Sequence, residues 1–172
     1  MPGEWETFYL MVGSSAAALI GLLFVVLTLS ADFDLRRAQA GSEAFVTPTA
    51  FHFGVIVFMS AVAIMPAIPA AVMGVAVAVP SVLGIAYAAW AARRISRSTL
   101  LAHEPIDYVL YVFLPAAAYL GLLGSAVAVW LNTEWGFHGI AIAALGLLLI
   151  GIRDAWDLAV YLAYHKEDKP KG

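Results

Sequence analysis

Residues 44–92 read AFVTPTAFHFGVIVFMSAVAIMPAIPAAVMGVAVAVPSVLGIAYAAWAA, 49 residues without one Asp, Glu, Lys or Arg. A hydrocarbon core about 30 Å thick is crossed by about 20 apolar helical residues. The stretch is therefore too long for one span and right for two. Pro66-Ala67-Ile68-Pro69 divides it, because two prolines three apart remove N–H donors and push their neighbours out of the α region. The pattern predicts one helix over 47–65 and another over 70–92. Pro48 suits a first helical turn. Pro80 lies inside the second helix and predicts a kink there.

Working outward, Phe8 to Leu29 is a charge-free run of 22 residues, closed by Asp32, Asp34, Arg36 and Arg37. It predicts a helix over 8–30. A signal peptide is the rival reading, but that wants a basic start and a shorter apolar stretch, and here Glu4 and Glu6 come first. Toward the other end, Pro105 opens and Asn132 closes a helix over 106–131, with Pro115 inside it as a second source of a kink. The last helix covers 139–164 and continues through Arg153-Asp154-Ala155-Trp156-Asp157, leaving a charged tail over 165–172. Of the 172 residues, 63% are hydrophobic and 12% charged, about half the charged share of a soluble domain. Five spans use nearly the whole chain. The expected fold is all-α: a single transmembrane domain over 1–172, a polytopic bundle of five transmembrane helices.

Positive charge sets the expected orientation. Arg36 and Arg37 fall between helices one and two, Arg93, Arg94 and Arg97 between three and four, and Arg153, Lys166, Lys169 and Lys171 at the last helix end and tail. All nine basic residues thus share one side, which predicts N-terminus out and C-terminus in. Trp5, Trp130 and Trp135 then mark the outer interface, and Trp90, Tyr108, Tyr111, Trp156 and Tyr164 the inner one. A net charge of −3 without a basic patch gives no sign of nucleic-acid binding. The absence of cysteine excludes disulfides, thiolate metal sites and cysteine catalysis.

Small residues recur every four positions: Gly13, Ala17 and Gly21 in helix one, Ala117, Gly121 and Ser125 in helix four, and Gly139 and Ala143 in helix five. Such ridges let helices approach closely in lipid. They serve packing within one bundle or, alternatively, a seam between copies.

Ionisable groups at membrane depth are costly and mark function by default. His52, Asp107, Arg153, Asp154 and Asp157 fall in the inner leaflet on the topology above, as do Asp32 and Asp34. Arg153 and Asp157 are four apart and pair along one helix face, which leaves Asp154 seeking a partner such as His52, Arg36 or Arg37. Against a buried network stands a plainer arrangement, in which Arg153 snorkels and the carboxylates sit in headgroup water. A buried network would form an ion or proton pathway, or a divalent-metal site of His52, Asp154 and Asp157. No His-x-x-x-His or Glu-x-x-His pair supports the metal, and no cofactor is implied. His138 reads as an interfacial side chain beside Glu134 and Trp135, too far from His52 for a shared haem; His103-Glu104 reads as a solvated loop. Gly13-Ser14-Ser15 has no histidine at its depth to activate a serine. No phosphate-binding glycine loop or zincin motif is present, so an enzyme is not expected.

Residues 13–26, Gly13-Ser14-Ser15-Ala16-Ala17-Ala18-Leu19-Ile20-Gly21-Leu22-Leu23-Phe24-Val25-Val26, resemble the first helix of a family of small, largely uncharacterised, multi-pass bacterial membrane proteins. Ile152-Arg153-Asp154-Ala155-Trp156-Asp157-Leu158 is similar to that family's last helix, where Asn is expected more often at the position of Asp154. The resemblance implies a bacterial inner membrane. Some family members are labelled modulators of a membrane-bound ATP-dependent protease.

Two functions follow as expectations. One is a homo-oligomeric ion channel or permeation protein, suggested by Pro80, Pro115, the small-residue ridges and the inner-leaflet cluster. The other is a non-transporting accessory protein that binds a larger membrane complex. Ser14, Ser15, Ser60, Ser81 and Ser125 are the main polar residues of the middle and outer half, which argues against a wide pore and permits a narrow one.

Overall fold

The computed structural model describes residues 2–29, 47–97 and 109–164. Asp107, the segments with Asp32, Asp34, Arg36, Arg37, His103 and Glu104, and the lysines of the tail lie outside the described residues. Helix α1 runs Pro2–Leu29, α2 Thr47–Ala63, α3 Ala70–Arg97, α4 Leu114–Trp130 and α5 Trp135–Tyr164. A π-helical turn, Val109–Phe113, leads into α4. No strand occurs among the described residues. Four helical stretches, Trp5–Thr28, Ala70–Arg93, Tyr111–Trp130 and Trp135–Val160, are long and apolar enough to cross a membrane. This is compatible with a multi-pass membrane protein. α2 is shorter, at 17 residues, or roughly 25 Å of helix.

Each expected span meets one helix, and the differences have local causes. Pro115 cannot donate to the carbonyl of Tyr111, and its ring would crowd that carbonyl in an α-turn. The chain answers with a wider π-turn just before the proline, so the expected internal proline becomes a π-to-α junction. α4 ends in a Schellman motif: Asn132 N–H donates to the Val129 carbonyl and Thr133 N–H to the Ala128 carbonyl, both at 2.9 Å. Asn132 takes the left-handed conformation this requires, φ 55°. The tight turn lets α5 begin at Trp135, four residues before the expected start. Between α2 and α3, Ala67 is also left-handed, φ 53°, and the Pro69 carbonyl accepts the N–H of Met73 to open α3. Pro80 is buried inside α3, and the next residue, Ser81, donates its hydroxyl to the Val77 carbonyl at 2.7 Å.

The helices run up and down in the lateral order α1–α2–α5–α4–α3. α3 packs most extensively on α4, α1 on α2 and α4 on α5, while α2 lies against α5. Most of α2 is buried, from Thr49 through Phe53, Ile56 and Met59 to Ala63. Small residues set the close approaches. Gly13 on α1 meets Ser60 on α2, Gly139 on α5 meets Ser125 on α4, and Gly151 on α5 meets the Phe53 ring on α2. Gly136 on α5 lies against the backbone of Val129. Ala17, Gly21, Ala117 and Gly121 face outward instead.

A Cβ on residue 136 would sit 2.9 Å from the Val129 nitrogen, whereas one on residue 21 meets nothing within 4 Å. Gly136→Ala should therefore cost about 1–3 kcal/mol by overpacking. Gly21→Ala should be neutral or stabilising by up to about 1 kcal/mol. Thermal unfolding of the two purified variants in detergent checks the contrast; equal stabilities would refute it.

Candidate functional site

The buried titratable side chains His52, Tyr119 and Asp154 lie in the half of the bundle that carries Arg93 and Arg153, whereas the buried Ser60, Ser81 and Ser125 lie in its middle and other half. His52 is 2% exposed and Tyr119 fully buried. His52 Nδ1 and the Tyr119 hydroxyl share a hydrogen bond of 2.7 Å that joins α2 to α4. The hydroxyl donates when the imidazole proton is on Nε2 and accepts when it is on Nδ1. Gly84 on α3 makes room for the tyrosine ring, since a Cβ there would overlap it. The Phe51 ring lies tilted against both Tyr119 and Tyr87, with centroids 6.0 Å apart in each pair, and Tyr87 leads on to Trp90 at 5.7 Å, so rings run from this pair to the flank of α3.

On α5, Arg153 and Asp157 turn to one side and Asp154 to the other. Arg153 Nη2 lies 3.4 Å from Asp157 Oδ2. The Tyr111 hydroxyl donates to that same carboxylate oxygen at 2.5 Å, and the Arg153 guanidinium sits 4.8 Å from the Tyr111 ring centre. All three are half-buried. Asp154 faces inward and is 3% exposed. Its Oδ1 has no hydrogen-bond partner among the described residues. Phe53, the residue after His52, rests on Gly151, which lies one turn before Asp154 on α5.

His52, Asp154 and Asp157 do not form a metal site. No group of three His, Cys, Asp or Glu able to hold a metal occurs among the described residues. Asp157 is committed to Arg153 and Tyr111, and His52 to Tyr119.

At the opposite end, an open cleft of about 620 Å³ is lined by Trp5 and Phe8 of α1, Met73 of α3, and Glu134, Phe137 and His138 at the start of α5, among others. The Tyr9 hydroxyl donates to the Phe137 carbonyl at 2.7 Å, and Trp5 meets the His138 ring edge-on at 4.8 Å. His138 is exposed and contacts the Glu134 carbonyl. Between the cleft and the His52–Tyr119 pair, Ile56 and Met59 of α2, Leu122 of α4 and Leu147 of α5 are fully buried. One hydroxyl, that of Ser60, is buried in this middle layer without a partner among the described residues.

Tyr119, Tyr111 and Ser60 carry site geometry that their sequence positions did not assign to them. For Tyr119 a signal existed: a tyrosine in the middle of a span, away from either interface, needs a partner for its hydroxyl. Compared with protein-family models, with curated proteins and with solved structures, the chain matches none.

Tyr119→Phe keeps the ring and removes the hydroxyl, so His52 Nδ1 is left unpaired at a cost of about 1–3 kcal/mol. In a His52→Phe background the same change should cost much less, because no orphan remains. A double-mutant cycle on thermal stability measures this; additive costs would mean the bond carries no coupling.

Proposed function

We propose that this chain is a five-span protein of a bacterial cytoplasmic membrane, N-terminus outside and C-terminus in the cytoplasm, that passes small ions as a homo-oligomer. The reading is non-enzymatic. The observation that carries it is the interior of the inner half: an orphaned carboxyl, Asp154 on α5, and a buried His52–Tyr119 pair between α2 and α4. Ionisable groups at such depth are retained at a cost and serve pathways, relays or sensors. The cleft at the other end supplies an outer vestibule. The apolar layer of Ile56, Met59, Leu122 and Leu147 between them is the seal of a closed state, since hydrophobic constrictions gate by dewetting.

Orientation follows the nine basic residues gathered on one side. The apolar outer surface of all the longer helices supports lipid as their surroundings. Assembly follows the outward-facing Ala17 and Gly21 on α1 and Ala117 and Gly121 on α4. Cβ atoms at residues 21 and 121 would meet nothing within the chain, which leaves those faces open to a second copy.

The test is ion flux in proteoliposomes. Purified protein should give flux above empty vesicles under some combination of pH and ion, and Met59→Ala, which thins the seal, should raise it. No flux under any condition would refute permeation. If the protein then came out of native membranes with a larger complex, the accessory role suggested by the family resemblance would take its place.

A further inference from the structure

Asp154 presents a problem that its neighbours among the described residues do not solve. A carboxylate removed from water costs several kcal/mol unless it is paired and hydrogen-bonded. Arg153, the adjacent cation, is turned toward Asp157 and the Tyr111 ring. Asp157 is a second carboxyl, three residues away, and so offers no positive charge. From α2 the nearest titratable side chain is His52, already bonded to Tyr119. From the π-turn and α4 the titratable groups are Tyr111 and Tyr119. The inner half of α1, residues 17–28, has none. Oδ1 of Asp154 is left with no partner among the described residues, in a side chain 3% exposed.

Something must balance that oxygen, and the donor set decides what. A divalent metal takes six or more oxygens, or several nitrogen and oxygen ligands together. Among the described residues no three candidate ligands converge here. A proton needs no ligand set at all. It neutralises the carboxyl outright, turns one oxygen into a donor, and leaves the other as a carbonyl that tolerates burial far better than a carboxylate does.

We propose that Asp154 is a proton-binding carboxyl and that the ion this protein handles is the proton. Uptake is from the half-buried Arg153–Asp157–Tyr111 cluster, whose Arg153 and Asp157 flank Asp154 on α5 and whose Tyr111 comes from the π-turn. Onward exchange is with His52–Tyr119, a pair that accepts or donates according to its tautomer. The binding step stands on the geometry of Asp154 alone. What the proton does afterwards rests on the permeation reading.

Dicyclohexylcarbodiimide tests this in the full-length protein in lipid. This apolar reagent reacts with a protonated carboxyl in a nonpolar setting. The acid adds across one C=N bond, its proton passing to nitrogen, and the O-acylisourea rearranges to a stable N-acylurea. Nothing leaves, so the protein gains the mass of one reagent molecule. Peptide mapping of the wild type should find the adduct on Asp154, forming faster as pH falls. It should be lost in Asp154→Asn, retained in Asp157→Asn, and unaffected by sodium or calcium. Because the site is mapped in the wild type, the result does not depend on a variant folding. An unreactive Asp154, or protection of it by sodium or calcium, overturns the proposal. Parallel proteoliposomes separate the two readings. Labelling at Asp154 without any flux removes permeation and leaves the proton site standing. Flux of other ions with Asp154 unreactive removes the proton site and leaves permeation.

Discussion

The constraint on which everything else depends is the solvent of the outer surface. Leu22, Phe24, Ile142, Leu149 and Trp156 are each more than half exposed, on helices apolar around most of their circumference. In water such a surface would be an association hazard well beyond the patch a soluble monomer tolerates. Against acyl chains it costs nothing. Acyl chains, the solvent proposed for this surface, offer no hydrogen bonds, so there each backbone group would have to be satisfied from within. The local irregularities obey this rule. The π-turn accommodates the donor that Pro115 lacks, and Asn132 turns left-handed to close the carbonyls of α4.

In lipid the hydrophobic effect does not pull helices together, so contact has to come from fit and from polar bonds. Gly13 against Ser60, Ser125 against Gly139 and Gly151 against Phe53 bring backbones close enough for dispersion to act. α2, too short to shape a bundle by itself, lies between α1 and α5 and carries the polar residues Thr49, His52 and Ser60 on its buried face. The bonds from Tyr9 to Phe137 and from Tyr119 to His52 tie non-neighbouring helices at the two ends. The interior is thus asymmetric. One half holds a titratable cluster, the other opens as a cleft, and apolar side chains part them.

The helical spans were legible because their signal is long and strong. Forty-nine residues without charge, split by Pro66 and Pro69, leave little choice, and each later boundary fell within a few residues of a proline, an Asn or a charge. The pairing of Arg153 with Asp157, and hence the isolation of Asp154, followed from spacing on one helix. The partner of His52 was not legible. It requires knowing that α4 faces α2 across the bundle, a consequence of the lateral order that no local pattern encodes. The four-residue repeats likewise named the small residues without naming their faces: Gly13 packs inward, while Gly21, two turns on, faces out. Pro115 announced a distortion but not its form, since a kink and a π-turn both accommodate the missing donor. Asp107 and the arginines of the first loop fall outside the described residues.

Solvation of the outer face can be read directly at residue 149. The chain has no cysteine, so Leu149→Cys carries a single nitroxide on the exposed side of α5. In lipid vesicles, helices solvated by acyl chains predict that this label collides freely with dissolved oxygen and hardly at all with a water-soluble nickel chelate. Strong collision with the chelate would mean that water, not lipid, bathes this surface, and the membrane-spanning bundle would fall with it.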